Sequence, residues 1–263
     1  MTGARAAEHV PLVLLPGTLC DARLWAHQTR NLADVAAPSV GDLTRDDAIV
    51  AMAERTLEAA PRRFLLAGLS LGAIVAFEIM RRAPERVMAL ALLNTNPAAP
   101  DDHQVAVWRE EIRMITNGLF AELVEERWMP ALLEASGSRG SSLRSAIHGM
   151  AHHVGPKGYA RQLSAQIGRP DSWSSLAAIT CPTLVLGGSR DTLCPPALHR
   201  AIAAAIPNAQ LAIIEDCGHL SACERPEAVT DRLRYWVEEI RQNIREDQLA
   251  ATAGATSLGG RHA

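Results

Sequence analysis

The chain has 263 residues, of which 48% are hydrophobic and 21% are charged, and its formal net charge is −3 at pH 7. This composition can fill a sizeable core beneath a charged surface, and it excludes a disordered chain. The weak negative charge offers no basic surface for nucleic acid, and no apolar run approaches the ~18 residues that a membrane-spanning helix needs.

Short apolar runs alternate with longer amphipathic runs in residues 1–97, a rhythm typical of βα units and a mostly parallel sheet. The strands predicted here are Val10–Leu15, Val35–Val40, Phe64–Leu69 and Val87–Leu93. One helix is predicted after Asp21, which is a typical N-cap residue, a second over Asp46–Ala60, and a third after the segment Gly68–Gly72, ending at Arg82.

Residues 98–178 interrupt this rhythm, because they carry helical patterns and no convincing strand. We predict a helical cap at 98–178, inserted into an α/β core formed by 1–97 and 179–248. The core resumes with strands Thr183–Leu186 and Gln210–Ile214 and with helices Ala197–Ile206 and Pro226–Ile240. Residues 249–263 are rich in Ala, Gly, Ser and Thr and are predicted to be a disordered tail.

The segment Gly68-Leu69-Ser70-Leu71-Gly72 fits the motif G-x-S-x-G. The motif alone is weak, but here it lies between a buried strand and a helix. A sharp turn at this point exposes the serine hydroxyl at the edge of the sheet and leaves room only for glycine on either side. Ser70 is therefore the candidate nucleophile.

A serine hydroxyl needs a base to take its proton and an acid to orient that base. Asp191 follows the strand Thr183–Leu186, and His219 follows the strand Gln210–Ile214. Both lie at carboxyl ends of strands, where ligands bind in open α/β sheets. Asp216 is the rival acid, but it precedes the histidine in the same short loop and is poorly placed to reach back to its ring.

These features resemble the α/β-hydrolase superfamily over about Pro11 to Ile240: strand–GxSxG–helix, an inserted helical segment, then G-x-x-D and D-x-G-H. The segments Val154–Gln162 and Arg169–Ser172 are similar to small capped bacterial esterases, lactonases related to 3-oxoadipate enol-lactonase, and meta-cleavage hydrolases. The resemblance implies an α/β-hydrolase fold, with a mostly parallel sheet flanked by helices and an inserted helical cap. It gives Ser70, Asp191 and His219 the triad roles.

The resemblance also implies an oxyanion hole made of two backbone N–H groups. Leu71, the residue after the nucleophile, supplies one of them. The second comes from the loop after the first strand, where the family usually has His-Gly-x and this chain has Pro16-Gly17-Thr18. Matching glycine to glycine makes Thr18 the donor, with Leu19 as the neighbouring candidate.

The cap carries further polar candidates. Gln162, Gln166 and Arg169 recur at helical spacing, and together with Leu19 they are predicted to contact a polar substrate. His148 and His152 share a helical face, but no nearby glutamate completes a known metal motif. The five cysteines lack metal-ligand spacing, and with no signal-peptide pattern they predict reduced thiols in a cytoplasmic protein. We predict neither a metal nor a cofactor.

The sequence thus favours a serine hydrolase that cleaves a small carboxylic ester or lactone through an acyl-enzyme on Ser70. A C–C bond hydrolase or an acyltransferase with the same triad is the first alternative. A non-catalytic ligand-binding protein on the same fold is the alternative from another class. The expected partner is a small molecule, with neither nucleic acid nor membrane.

Overall fold

A parallel sheet forms the centre of the computed structural model, which describes residues 9–133 and 140–258. Its strands are β1 (Val10–Leu15), β2 (Ala36–Val40), β3 (Phe64–Leu69), β4 (Val87–Leu93), β5 (Thr183–Gly188) and β6 (Gln210–Ile214). Their order across the sheet is β2-β1-β3-β4-β5-β6, and every neighbouring pair is parallel. All six predicted strands form, although β2 begins one residue later than predicted and β5 continues through Gly188.

The four inner strands β1, β3, β4 and β5 are almost wholly apolar because helices cover both faces of the sheet. In β1, Leu12 and Leu14 point into one hydrophobic cluster, whereas Val13 and Leu15 point into the other. All residues of β3 and β5 are buried. Since the strands run in the same direction, their carboxyl ends meet at one edge of the sheet.

The helices lie between the strands, as the sequence predicts. Their bounds are α1 (Ala26–Asn31), α2 (Ile49–Ala59), α3 (Leu71–Arg82), α4 (Asp102–Thr116), α5 (Phe120–Leu123), α6 (Met129–Leu133), α7 (Gly140–Ile167), α8 (Pro196–Ala205), α9 (Ser221–Glu224) and α10 (Pro226–Leu258). Asp21 is an N-cap, as predicted, but the chain first forms the 3₁₀ turn Ala22–Trp25 before α1 begins. None of these helices combines the length and the apolar character needed to cross a membrane.

The segment between β4 and β5 holds α4 to α7 and, among its described residues, no strand. Helix α7 consists of two pieces separated at Gly155, whose φ of 65° and ψ of 173° are not helical. Glycine tolerates this conformation, and the following Pro156 suits the first turn of a new helix. The second piece of α7 therefore takes its own direction across the carboxyl edge of the sheet, where Gln162 reaches the loop after β1.

Helix α10 ends differently from the prediction. It continues to Leu258 and so extends into the segment 249–263, whose composition predicts disorder. Alanine has the highest helix propensity, and the alanines of this segment extend the helix more effectively than the small polar residues interrupt it. Residues 259–263 lie outside the described part of the chain.

Candidate active site

Ser70 lies in a strained turn between β3 and α3. Its φ of 55° and ψ of −113° fall in a region that residues with a Cβ rarely adopt. A Cβ atom on Gly68 would collide with the backbone of Gly72, and a Cβ atom on Gly72 would collide with the carbonyl group of Leu15. Close backbone packing thus requires both glycines of the motif, and the turn holds the serine at the carboxyl edge of the sheet.

The structure brings Ser70, His219 and Asp191 together in one hydrogen-bonded path. The Nε2 atom of His219 lies 3.0 Å from the Oγ atom of Ser70. The Nδ1 atom of the same ring lies 2.9 Å from Oδ2 of Asp191. Because Asp191 requires a proton on Nδ1, Nε2 is the nitrogen left to accept the proton of the serine hydroxyl.

Asp191 is held as a buried carboxylate. It is 2% exposed, and its Oδ1 atom accepts hydrogen bonds from the backbone N–H groups of Leu193 and Cys194, both at 2.9 Å. The side-chain amide of Asn94 donates to Oδ2, also at 2.9 Å. Burial alone raises the pKa of Asp191, but the hydrogen bonds from His219, Asn94 and Cys194 outweigh it and lower the pKa below its usual value.

The ring of His219 has the opposite shift. Burial alone lowers the pKa of His219, but the hydrogen bond to Asp191 and the negative charge of that carboxylate raise it above its usual value. The two groups form a buried pair in which each stabilises the charged form of the other.

Asn94 is a site residue that the sequence analysis missed. It follows β4 directly, has a φ of 45° and is fully buried. Besides its bond to Asp191, its amide donates to the carbonyl oxygen of Gly218 at 3.2 Å and accepts from the hydroxyl of Ser221 at 2.6 Å. It therefore ties the loop of the acid to the loop of the base, and a polar residue directly after a buried strand is the signal that marks it.

Glu224 is a second residue that sequence reasoning missed. Its Oε2 atom accepts from the N–H of Gly218 at 2.8 Å, and its Oε1 atom accepts from the N–H of Leu220 at 3.0 Å. These are the two neighbours of His219 in the chain, so the carboxylate fixes the backbone on both sides of the candidate base.

The loop after β1 runs beside the nucleophile. A Cβ atom on Gly17 would lie 3.5 Å from the Cβ atom of Ser70. The N–H of Leu19 donates to Oε1 of Gln162 at 2.9 Å. Because this donor already has an acceptor, the structure does not support Leu19 as the second candidate for the oxyanion hole. The N–H of Thr18 has no such acceptor among the described residues. Leu71 begins α3, so its N–H also has no intrahelical partner.

Gln162 differs from its expected role as a substrate contact. Its side chain is fully buried, and its Nε2 atom donates to the carbonyl oxygen of Leu43 at 3.3 Å while Oε1 accepts from Leu19. Both ends of the amide are therefore engaged by backbone groups. Its contacts hold Leu19 at a φ of 56°, a conformation that is unfavourable for leucine.

Gln166 and Arg169 lie further along the same helix and beyond its end. The Nε2 atom of Gln166 donates to the hydroxyl oxygen of Thr18 at 3.2 Å. The Nε atom of Arg169 donates to the carbonyl oxygen of Ala98 at 2.9 Å, and its guanidinium lies over the ring of Trp108, 5.6 Å from the centroid. The cap thus contacts the predicted oxyanion loop directly.

The competing residues of the sequence analysis lie elsewhere. Asp216 is exposed and pairs with Arg190 and, at 3.9 Å, with Arg225. His148 is also exposed and contacts Glu125 at 2.6 Å. Among the described residues, one group of side chains has atoms close enough to bind a metal ion. It consists of Asp191, Cys194 and His219, whose ligand atoms lie within 4.8 Å of one another. Two of its members are engaged in the histidine–carboxylate hydrogen bond.

Residues 12–232 match the model of the alpha/beta hydrolase family. The chain belongs to this family. The predicted fold and enzyme class are thereby confirmed, and this α/β hydrolase has esterases and other hydrolases as relatives.

Three relatives illustrate the range of similarity. The chain is 25% identical to the pimeloyl-[acyl-carrier protein] methyl ester esterase of Aromatoleum aromaticum over 82% of its own length and 93% of that protein. A thermophilic esterase from Thermogutta terrifontis, solved with malate bound, is 28% identical with a TM-score of 0.81, covering 89% of this chain and 91% of that one. The enol-lactonase of Burkholderia xenovorans shares the fold, with a TM-score of 0.77, 22% identity and coverage of 90% and 94%.

Proposed function

We propose that this α/β hydrolase is a serine hydrolase that cleaves a small carboxylic ester or lactone through an acyl-enzyme on Ser70. The observation that carries the proposal is the path from Oγ of Ser70 through the ring of His219 to Asp191, with links of 3.0 Å and 2.9 Å. These distances lie within the range over which a base removes the proton of a nucleophile.

In the proposed acylation step, Oγ of Ser70 attacks the carbonyl carbon while Nε2 of His219 takes the hydroxyl proton. The resulting imidazolium is stabilised by Asp191, which remains ionised throughout. His219 then gives its proton to the leaving oxygen as the carbon–oxygen bond breaks. In deacylation, water attacks the acyl carbon, His219 takes a proton from that water, and Oγ recovers its proton as the acid is released.

The backbone N–H groups of Thr18 and Leu71 are the proposed donors to the tetrahedral oxygen. Neither donor has an acceptor among the described residues, and the loop of Thr18 runs beside Ser70. Donors that are fixed before the reaction stabilise the developing charge without reorganising. Gln162 fixes this loop through Leu19, and Gln166 fixes it through the hydroxyl of Thr18.

The choice of ester chemistry is supported by the relatives, of which one is a methyl ester esterase and another a thermophilic esterase. The same triad serves C–C bond hydrolases and acyltransferases, so these remain outcomes of the test below. The cytoplasmic location expected from the cysteines stays a prediction; all five, each within the described ranges, carry free thiols.

The decisive experiment combines covalent labelling with turnover. A fluorophosphonate should form an adduct on Ser70, mapped by peptide mass spectrometry, and p-nitrophenyl esters from acetate to decanoate should be hydrolysed beside an enol-lactone. The Ser70→Ala variant is the control, in which both labelling and turnover should be lost. Absence of an adduct would favour a binding protein. An adduct without ester or lactone turnover would favour C–C bond hydrolysis or acyl transfer.

A further inference from the structure

Arg169 is buried, and no described residue gives it an acidic partner. Its side chain belongs to a residue that is 7% exposed, and within residues 9–133 and 140–258 no carboxylate lies at ion-pair distance from it. Its hydrogen bonds go to two neutral oxygens, the carbonyl of Ala98 at 2.9 Å and Oε1 of Gln166 at 3.4 Å. By contrast, Arg127 of the same cap lies 3.6 Å from the carboxylate of Glu111.

This arrangement is costly for the protein on its own. Moving a charge out of water is unfavourable unless an opposite charge compensates it, and an arginine cannot release its proton to escape the cost. Burial lowers the pKa of Arg169, and the nearby ionisable group that acts on it is the thiol of Cys194 rather than a carboxylate. The part of the chain that the structure describes thus holds a buried positive charge without a negative charge to balance it.

The guanidinium is also held in one orientation. The ring of Trp108 covers one face of the guanidinium. Its Nε atom donates a hydrogen bond to the carbonyl oxygen of Ala98, and its Nη1 atom donates one to Oε1 of Gln166. Nη2 donates to no described protein group, and it is not among the polar atoms that are sealed from solvent without a partner. The edge formed by Nη1 and Nη2 is therefore open, and this edge of an arginine can donate a hydrogen bond to each oxygen of a carboxylate.

The open edge belongs to the candidate active site. Gln166 joins Arg169 to the hydroxyl of Thr18, whose N–H is a proposed oxyanion donor. The ionisable group that acts on the guanidinium is Cys194, whose Sγ atom lies within 4.8 Å of ligand atoms of Asp191 and His219 and whose backbone N–H donates to Asp191 at 2.9 Å. An anion bound at Arg169 would therefore lie next to the reacting carbonyl group, within the same small molecule.

We propose that Arg169 is an anion subsite and that the substrate is an ester or lactone carrying a free carboxylate. The proposal rests on the proposed function, because it names the substrate class of the same site. The carboxylate of the substrate supplies the missing counter-charge and fixes the distance between that charge and the scissile bond. Selectivity for such substrates then comes from the cap, whereas the chemistry comes from the core.

The test compares charged and neutral esters of one carbon skeleton. Monomethyl and dimethyl esters of succinate, glutarate and adipate differ in a single free carboxylate. The wild-type enzyme should have the higher kcat/KM for the monomethyl ester of at least one chain length. In Arg169→Gln, the ratio of the two kcat/KM values should fall by about 10- to 100-fold, the usual effect of losing hydrogen bonds to a charged group. In Arg169→Lys, which keeps the charge but loses the pair of Nη1 and Nη2 donors, the fall in this ratio should be smaller.

The matched control is Arg161→Gln, which removes one positive charge from the exposed face of the same helix. It should leave the ratio unchanged. A wild-type preference for the dimethyl esters, or an equal loss on both esters in Arg169→Gln, would overturn the subsite. If Arg169→Gln does not fold, as judged by thermal unfolding, competitive inhibition of the wild-type enzyme decides. Free glutarate should then inhibit dimethyl ester hydrolysis at least about tenfold more strongly than neutral glutaramide, and equal inhibition would contradict the subsite.

Calorimetric titration of Ser70→Ala with monomethyl glutarate separates the two proposals. Suppose that this ester binds, that the double variant with Arg169→Gln binds it more weakly, and that the wild-type enzyme turns over no ester. This result would support the subsite and refute the esterase. Turnover of both esters without preference would refute the subsite and leave the esterase standing.

Discussion

The two sides of the candidate active site are built in different ways. On the core side, Ser70, His219 and Asp191 stand at strand ends, and Asn94 and Glu224 satisfy the polar groups around them. On the cap side, Gln162 and Gln166 grip the loop after β1, while Arg169 carries a charge that no described residue neutralises. Polar groups that are all hydrogen-bonded hold the core side in one geometry, whereas a charge without a described partner can bind a charged ligand. We therefore expect the core side to determine the mechanism and the cap side to determine substrate specificity.

The strongest way to test the core side is to remove its nucleophile. Ser70→Ala should lower kcat by about 10⁴-fold or more, because the covalent step has no other attacking oxygen. It should change the stability of the fold little, since alanine fits the same turn and only one hydrogen bond, between Oγ and Nε2 of His219, is lost. Steady-state kinetics and thermal unfolding measure the two effects. A variant that keeps more than about a tenth of wild-type kcat would exclude Ser70 as the nucleophile, since every covalent step depends on it.

The choice of acid is tested by a pair of amides. Asp191→Asn should lower kcat by up to about 10⁴-fold, because an amide favours the wrong ring tautomer and cannot stabilise the imidazolium. Asp216→Asn is the matched control and should retain most activity, since that carboxylate is exposed and pairs with arginines. The reverse ranking of the two variants in ester turnover would show that the acid has been assigned wrongly.

The connection between cap and core is tested at Gln162. Gln162→Leu leaves the N–H of Leu19 buried without an acceptor, so the loop that carries Thr18 should relax away from the nucleophile. We expect kcat to fall by about 10- to 100-fold, since an unsatisfied buried donor costs about 1–3 kcal/mol. Ser164→Ala, on the same helix but bonded only to Ala160, is the control. Unchanged kcat in Gln162→Leu would mean that the loop holds its position without the cap.

The smallest effect concerns pH. Below its pKa, His219 is protonated and cannot accept the proton of Ser70, so kcat/KM falls as the pH falls. Because Asp191 raises the pKa of His219, this fall should begin above pH 6.5, the usual histidine value, when a neutral ester is the substrate. In Asp191→Asn, the residual activity should extend to lower pH. An acidic limb that lies at the same pH in both proteins would contradict the coupling of this pair.

The sequence predicts the core side far better than the cap side. Ser70, Asp191 and His219 follow strands whose apolar runs are unmistakable, and a parallel sheet places their carboxyl ends at one edge. Asn94 escapes notice because its function depends on two loops that meet only in the folded chain.

On the cap side, helical spacing brings Gln162, Gln166 and Arg169 to one region, but it does not reveal which polar groups are already occupied. Gln162 reaches Leu19 across 143 positions in the chain, a pairing that no periodicity encodes. That no described carboxylate pairs with Arg169 is likewise visible only in the folded chain. Local patterns thus identify candidates, and the three-dimensional arrangement decides their roles.

The break in α7 at Gly155 and Pro156 has a mechanical consequence. It separates the piece that contacts the loop after β1 from the preceding piece, which exposes His148 on one face and buries Ile147 and Met150 on the other. Substitutions in the piece of α7 before Gly155 should not turn Gln162 away from Leu19, because the break prevents a rotation of that piece from passing to the piece that carries Gln162. Gly155 and Pro156 therefore mark a boundary, and we expect substitutions before this pair to disturb the contact between Gln162 and Leu19 less than substitutions after it.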